Sequence, residues 1–289
     1  MNGVIVTNGF LTGDKFMEPV RMVSAAAERM GIGMRVVRNT GLAVPIGDGA
    51  AVHGILGDAD FVLFWDKDHR CARNLELCGL PVFNSSECIR VCDDKSLTHL
   101  ALAGAGIPMP RTVSCPQTFE GIGYSDTGFL DDVVGTLGFP LVVKDCFGSF
   151  GQQVHLVDDM ASLRSLLRDH RPRILQEYID CGSTDIRVEV VGGEVVASVL
   201  RTGPPGDFRS NCTIGGRMHV HDATEEESEL AISACGCVGA DFAGVDIIAT
   251  DDGPVVCEVN SNAHIRNLRD CTGIDVSDLI LAHILDVIG

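Results

Sequence analysis

Lysine is scarce in this 289-residue chain, occurring only at Lys15, Lys67, Lys95 and Lys144. The other basic residues are arginines, and acids outnumber them to give a formal net charge of −18. No basic stripe is visible, which argues against a nucleic-acid partner, and the acidic balance disfavours an anionic membrane surface. A local basic pocket for an anionic ligand stays compatible with that balance. Ammonium and guanidinium groups differ in shape and hydration, so the few lysines of an arginine-using chain are positions to examine. Lys15 alone reads as an ordinary surface residue.

Other absences narrow the class. The twelve cysteines include no C-x-x-C pair and no zinc-knuckle spacing, so they read as buried thiols in a reducing cytosol. No apolar run reaches 18 residues, and "MNGVIVTNGF" lacks a basic segment before an apolar one. Neither a membrane span nor a signal peptide is expected, and a cytoplasmic location is. G-x-G-x-x-G, the P-loop and G-x-S-x-G are all missing, so a dinucleotide fingerprint, a Walker-type phosphate site and a serine nucleophile are not indicated.

Hydrophobic residues make up 45% and charged residues 21%, ordinary values for a globular protein, and the length allows two or three subdomains. "GVIVTNG", "MRVVRN", "ADFVLFWD" and "LPVFNS" read as strands alternating with helices, a small parallel sheet over residues 1–93. Residues 94–180 read as an α+β lid. It opens with a helix capped by Asp94, then "FPLVVKDCFGSFGQQVHLV" as two strands about a glycine loop, then the strand "RILQEYI". Residues 181–289 hold two hairpins, one turning at Gly192-Gly193 and one at "DDG", and a closing helix.

The second hairpin carries the chemistry. Centring its turn on Asp252 pairs Thr250 with Pro254 and sets Asp246 opposite Glu258. Alternation puts Val255, Cys257 and Val259 on one face and Glu258, Asn260 and Asn262 on the other. Two carboxylates facing each other across a strand pair repel, and a divalent cation would relieve them. With Asn260 they offer three hard oxygen donors suited to Mg²⁺ or Mn²⁺.

Lys144 ends a strand beside a glycine loop, where an ammonium and bare N–H groups can meet a phosphate. Lys95 stands in a helix first turn, a place unfavourable to a cation unless an anion binds nearby; a solvated lysine between acids is the competing reading. Asp185, Arg187 and Glu189 share a face of the first hairpin, whose register sets Arg187 against Ser198 with Arg201 just beyond. Arg209 and Asn211 follow in "DFRSN". Such a group could hold phosphates or a carboxylate, or form surface ion pairs.

Taken in order, "DDKSLTHLALAGAGIPMPRT", "FPLVVKDCFGSFGQQVHLV", "ILQEYID", "TDIRVEVVGGEVVASVLR", "GDFRSN", "AGVDII" and "VCEVNSNAHIRNLRDCTGIDV" resemble the ATP-grasp superfamily. More narrowly, they resemble the RimK-type (α-L-glutamate ligase-like) carboxylate–amine ligases over roughly residues 90–280. The resemblance implies an α/β fold of three subdomains, a Rossmann-like parallel sheet (the pre-ATP-grasp domain) followed by two α+β lobes clamping ATP. It implies that Lys95 and Lys144 contact ATP phosphates under a loop of Gly148, Ser149 and Gly151. Gln176, Glu177, Tyr178 and Ile179 would line the adenine, Asp185 would hold the ribose, and Arg209 and Asn211 would meet phosphate oxygens. Asp246, Glu258 and Asn260 would bind Mg²⁺ or Mn²⁺, and Arg201 would stabilise an acyl phosphate.

The implied reaction joins a small-molecule or peptide carboxylate to an amine such as an amino acid, with ADP and phosphate released. A phosphotransferase and a non-catalytic ATP-binding regulator are the alternatives. Neither nucleic acid nor membrane is an expected partner, and self-association into a homo-oligomer is compatible with this reading. "NSNAHIRN" departs from the glutamate ligases' "N-A-S-P-G" type run. Asn262, His264 and Arg266 then stand where the acceptor should approach, and His264 and Arg266 are expected to recognise its carboxylate.

Overall fold

A computed structural model describes residues 1–119, 122–149, 151–169, 171–210 and 215–289. Three sheets organise them. The first joins β1 (Asn2–Thr7), β2 (Gly33–Arg38), β3 (Phe61–Trp65) and β4 (Val82–Phe83) in the order β2-β1-β3-β4, all parallel. Helices cover both of its faces, which is why β1 and β3 read as unbroken apolar runs. Ile5, Phe61 and Leu63 pack on α1 (Asp14–Arg29), while Val4, Val6, Val62 and Phe64 pack on α2 (Gly49–Leu56), α3 (His69–Leu77) and α4 (Ser86–Asp93).

The helix α5 (Lys95–Gly104) begins where expected, with Asp94 accepting from the Ser96 N–H at 2.9 Å. Its Leu102 joins the core beneath the third sheet. The second sheet contains β5 (Thr112–Ser114), β6 (Leu141–Asp145), β7 (Val154–Val157) and β8 (Arg173–Glu177), antiparallel in the order β5-β8-β6-β7. Leu141, Val143 and Leu175 turn one face onto α6 (Phe129–Leu137) and α7 (Met160–Leu166). Period-two alternation sends Val142, Lys144 and Gln176 to the other face, toward a cavity.

The third sheet joins β9 (Thr184–Val191), β10 (Glu194–Thr202), β11 (Arg217–Val220), β12 (Phe242–Thr250) and β13 (Gly253–Asn260) in the order β11-β10-β9-β12-β13. Ile186, Val188 and Val190 pack beneath it with Leu230, Ala231 and Ala234 of α8 (Glu225–Val238), whose first turn is held by a Thr224–Glu227 capping box. Asp185, Arg187 and Glu189 face the same cavity as Lys144.

After β13 the chain forms a helix where a polar loop is expected: α9 (Ile265–Thr272). Ile265 and Leu268, three apart, bury into the core shared with α10 (Val276–Ile288), and Gly273 ends the turn at φ 79°.

Both hairpin registers contain a bulge that the sequence does not announce. Gly192 and Gly193 do form the first turn, at φ 60° and 80°, but Val196 is an extra residue, so Arg187 opposes Val199 and Arg201 opposes Asp185. In the second hairpin Thr250 pairs with Gly253, one residue short of the expected Pro254. An extra residue at Cys257 then restores the register, and Asp246 does oppose Glu258. The same bulge overturns simple alternation on β13. Val256 and Val259 go to the core, and Cys257 turns to the cavity.

Asn84, only 1% exposed, fastens the first sheet to the third. Its amide donates to the carbonyls of Phe242 (2.9 Å) and Ser261 (3.0 Å), and its oxygen accepts from the N–H groups of Asp241 (2.7 Å) and Phe242 (3.2 Å). Asn84→Ala leaves these buried backbone groups without partners. The expected loss is about 3 kcal/mol or more in urea unfolding, with Asn84→Asp intermediate because its oxygen acceptor survives.

Candidate active site

One cavity of about 1010 Å³ lies between the second and third sheets and extends to the C-terminal ends of β1 and β3. All four lysines line it, Lys15 included. Lys95 is 7% exposed, which removes the solvated reading. Its Nζ lies 3.0 Å from Glu258 Oε1 and donates to the Gly148 carbonyl at 3.3 Å. Burial works against its charge, but Glu258 outweighs burial and raises its pKa. Lys144, also 7% exposed, lies 3.4 Å from the Cys257 sulfur that the bulge turns inward.

The glycine loop and the hinge line the same space. Gly148, Ser149 and Gly151 border the cavity, and Arg209 clasps the loop by donating to the Gly151 carbonyl at 2.6 Å. Arg209 also pairs with Asp207 at 2.6 Å. Asn211 lies outside the described residues. Gln176, Glu177, Tyr178 and Ile179 form the wall at the end of β8.

Two of these side chains are engaged away from a ligand. Glu177 pairs with Arg111 at 2.6 Å, and Gln176 donates to Thr112 Oγ1 (2.8 Å) and to His99 Nε2 (2.9 Å). His99 Nδ1 lies 2.8 Å from the Lys95 carbonyl, which can only accept, so Nδ1 carries the proton and Nε2 accepts. His99 therefore ties the hinge to the helix turn that presents Lys95. It was not singled out in the sequence, where a lone histidine on an amphipathic helix carries no chemical signature.

Opposite lies a buried ion network. Asp246, 4% exposed, receives Arg187 through two nitrogens and Arg201 at 2.9 Å. Arg201 in turn donates to Asp185 at 2.6 Å through Nε and also pairs through Nη2. Burial pushes the Asp246 carboxyl up, but the two guanidinium groups outweigh it and hold the carboxyl down at about 2. Glu258 is likewise held below its ordinary value, burial being outweighed chiefly by Lys95.

The opposed carboxylates are thus already neutralised by Lys95, Arg187 and Arg201. The donor chemistry still fits a metal ion. Asp246 and Glu258 are ionised, face each other and border the cavity, and Asn260 reaches Asp246 at 3.4 Å. No group of three or more His, Cys, Asp or Glu side chains suited to a metal occurs among the described residues.

The expectation that Arg266 and His264 recognise a carboxylate is corrected. Arg266 is not on the cavity wall; it pairs with Glu18 of α1 and with Asp270 at 2.6 Å, clamping α9 to α1. His264 is on the wall, but its Nε2 lies 3.2 Å from the Lys15 carbonyl. That carbonyl is available because Pro19, four residues on, has no N–H to donate. Burial lowers the His264 pKa, so the ring is neutral, and its buried Nδ1 is an acceptor without a hydrogen-bond partner. A lone pair there opposes a carboxylate rather than binding it. Asp185, expected at a ribose, borders the cavity and accepts from Arg201.

A cavity between two antiparallel sheets, lined by lysines and opposed carboxylates, defines the ATP-grasp class. The profile of the RimK-like ATP-grasp domain matches residues 92–284, and the chain belongs to that family. It is 35% identical over 228 residues to human N-acetylaspartylglutamate synthase A, an alignment covering 77% of this chain and 57% of that protein. It is 37% identical over 219 residues to a probable alpha-L-glutamate ligase of Enterobacter, covering 73% and 70%. The chain thus spans little more than half the length of the human protein.

Among solved structures, D-alanine–D-alanine ligase from Bacillus anthracis complexed with ATP superimposes at TM-score 0.75 and 19% identity, covering 100% of this chain and 97% of that one. A RimK domain ATP-grasp protein from Sphaerobacter thermophilus gives 0.73 at 20%, covering 99% and 100%. These likenesses show the fold. Among the described residues, no helix is long and apolar enough to cross a membrane.

Burial, followed by the Lys144 charge, lowers the His99 pKa to about 4. A group that binds its proton more weakly folded than unfolded contributes stability fully present above pH 6.5, and that contribution declines as pH falls from 6.5 toward 4. Between pH 7 and pH 5 it amounts to about 2 kcal/mol. Urea unfolding of His99→Gln should show a correspondingly shallower acid limb than wild type; parallel limbs would remove His99 as the titrating group.

Proposed function

We propose that the chain is an ATP-dependent ligase that joins a carboxylate to an amine through an acyl phosphate. The observation that carries this is the pair Asp246 and Glu258, opposed and ionised on one wall of a lysine-lined cavity in a RimK-like ATP-grasp domain. Lys95 and Lys144 neutralise phosphate oxygens of ATP beneath the loop of Gly148, Ser149 and Gly151. The hinge from Gln176 to Ile179 offers its backbone to the adenine, and Arg209 holds the loop across the nucleotide.

Asp246, Glu258 and Asn260 would hold Mg²⁺ or Mn²⁺, which when bound supplies positive charge to the phosphoryl oxygens. Arg201 and Arg187 hold Asp246 ionised for that task and add charge beside the transferred group. The substrate carboxylate attacks the γ-phosphorus, the bond to the β–γ bridging oxygen breaks, and ADP leaves. The amine nitrogen then attacks the acyl carbonyl, and phosphate leaves with the C–O bond electrons. Positioning and charge neutralisation carry the reaction, which needs no protein nucleophile.

The names of the relatives favour glutamate as the first amine to test, with small carboxylic acids, N-acetylaspartate and citrate among them, as acceptors. ADP release should appear with one such pair, accompanied by an amide mass. Asp246→Asn and Lys144→Ala should each lower that rate about 100-fold or more. A stable phosphate ester in the product would point to a phosphotransferase, and ATP binding without turnover for any pair to a regulator.

A further inference from the structure

Two residues along β9 from Arg187, the cavity wall carries a carboxylate that the reaction outlined above does not use. Glu189 is 3% exposed and borders the cavity. Among the described residues it makes no hydrogen bond and no ion pair. It shares the face of Asp185 and Arg187, about 7 Å beyond Arg187 along the strand.

Its cross-strand neighbours are Ala197 on β10 and Gly244 on β12. The face of Gly244 is covered by Ala263 and the Arg187 side chain, and a Cβ there would stand 2.9 Å from each. Carboxylates and guanidinium groups are paired toward Asp185 and Asp246, and Glu189 ends the row with no bond of its own.

From this we infer that Glu189 forms the subsite for the ammonium group of the amine substrate, and that Glu189 takes a proton from it. The inference deepens the ligase reading and rests on it for the reaction step. An ammonium cannot attack an acyl phosphate until it loses a proton. Transfer to Glu189 leaves a neutral amine and a carboxylic acid. The nitrogen then bonds to the acyl carbon, the C–O bond to phosphate breaks, and the second proton leaves with the phosphate as HPO₄²⁻.

The charged and titratable groups facing Glu189 are Arg187 on its own strand, Arg201 on β10, Asp246 on β12 and, through the sheet, Cys235 on α8. Burial, only partly offset by Arg187, pushes the Glu189 carboxyl up to about 7. A carboxyl in that range can accept a proton from an ammonium and return it to solvent within each cycle.

Trp65, the chain's one tryptophan, lines the same cavity and reports on binding without turnover. Its fluorescence is titrated with each common amino acid and with the N-acetyl derivatives, in wild type, Glu189→Gln and Glu189→Asp. Glu189→Gln should weaken the free amino acid that binds by about tenfold or more and leave its N-acetyl derivative unchanged, while Glu189→Asp retains most of the affinity. Equal affinity for the free amino acid in wild type and Glu189→Gln overturns the assignment, as does failure of every free amino acid to bind wild type.

A second measurement compares ATP-dependent amide formation with hydroxamate formation, because hydroxylamine is already uncharged at neutral pH and needs no base. Glu189→Gln should lose the amide and its rise in rate through about pH 7, and keep the hydroxamate. Equal loss of both, or loss of neither, counts against the proton transfer. Absence of hydroxamate from wild type with every acceptor tells against the ligase reading, and the fluorescence titration still decides Glu189.

Discussion

Asp246 is ionised in a place where burial alone would neutralise it, and Arg187 and Arg201 make the difference. An isolated carboxylate taken out of water costs several kcal/mol, and a paired one is tolerated only where further hydrogen bonds satisfy it. Here Arg187 bonds through two nitrogens, and Arg201 spans Asp246 and Asp185 on neighbouring strands. The pairing depends on register: Arg187 lies opposite Asp246 across β9 and β12, and Arg201 lies opposite Asp185 across β9 and β10. Slipping any of these strands by one residue would turn the charges into the core against α8. The apolar residues beneath the sheet, Ile186, Val188, Val190, Val245 and Ile247, fix that register and so fix the site.

The same dependence explains what the sequence could and could not reveal. Parallel strands, the glycine hairpin and the Asp94 cap carry local signals that tertiary packing does not override. The opposition of Asp246 and Glu258 emerged through two departures that cancel. A turn one residue tighter than expected and a bulge at Cys257 return those two positions to each other. Neither is written locally, because a bulge is chosen by the fit of two strands and of the core below them. The first hairpin had one such departure and nothing to offset it, so Arg187 was matched with Ser198 instead of Val199.

Side-chain partners were the least legible part. Lys95 and Glu258 are far apart in sequence, as are Arg266 and Glu18, so neither pair could be derived from spacing. The first pairing supports a place for Lys95 at the site, and the second takes Arg266 off the wall. For α9 a weak signal existed, since Ile265 and Leu268 stand three apart before Gly273. The polar residues between and around them obscured it. The scarcity of lysine was the most informative compositional feature: all four lysines border one cavity, although Lys15 had nothing local to recommend it.

That placement matters because the chain carries a formal net charge of −18. A polyanion such as ATP is repelled by such a surface at long range, where salt screens the field, and attracted by lysines and arginines inside a cleft, where it is screened far less. Within the cleft the charge is ordered along β9 and its neighbours. Cations crowd around Asp185, Asp246 and Glu258, and Glu189 follows with no ion pair of its own. In the ligase proposed above, that gradient would sort two reactants of opposite character, a phosphorylated carboxylate and an ammonium, to its two ends. One strand face, read two residues at a time, is enough to set that order, and it holds only while the bulges keep the facing strands in register.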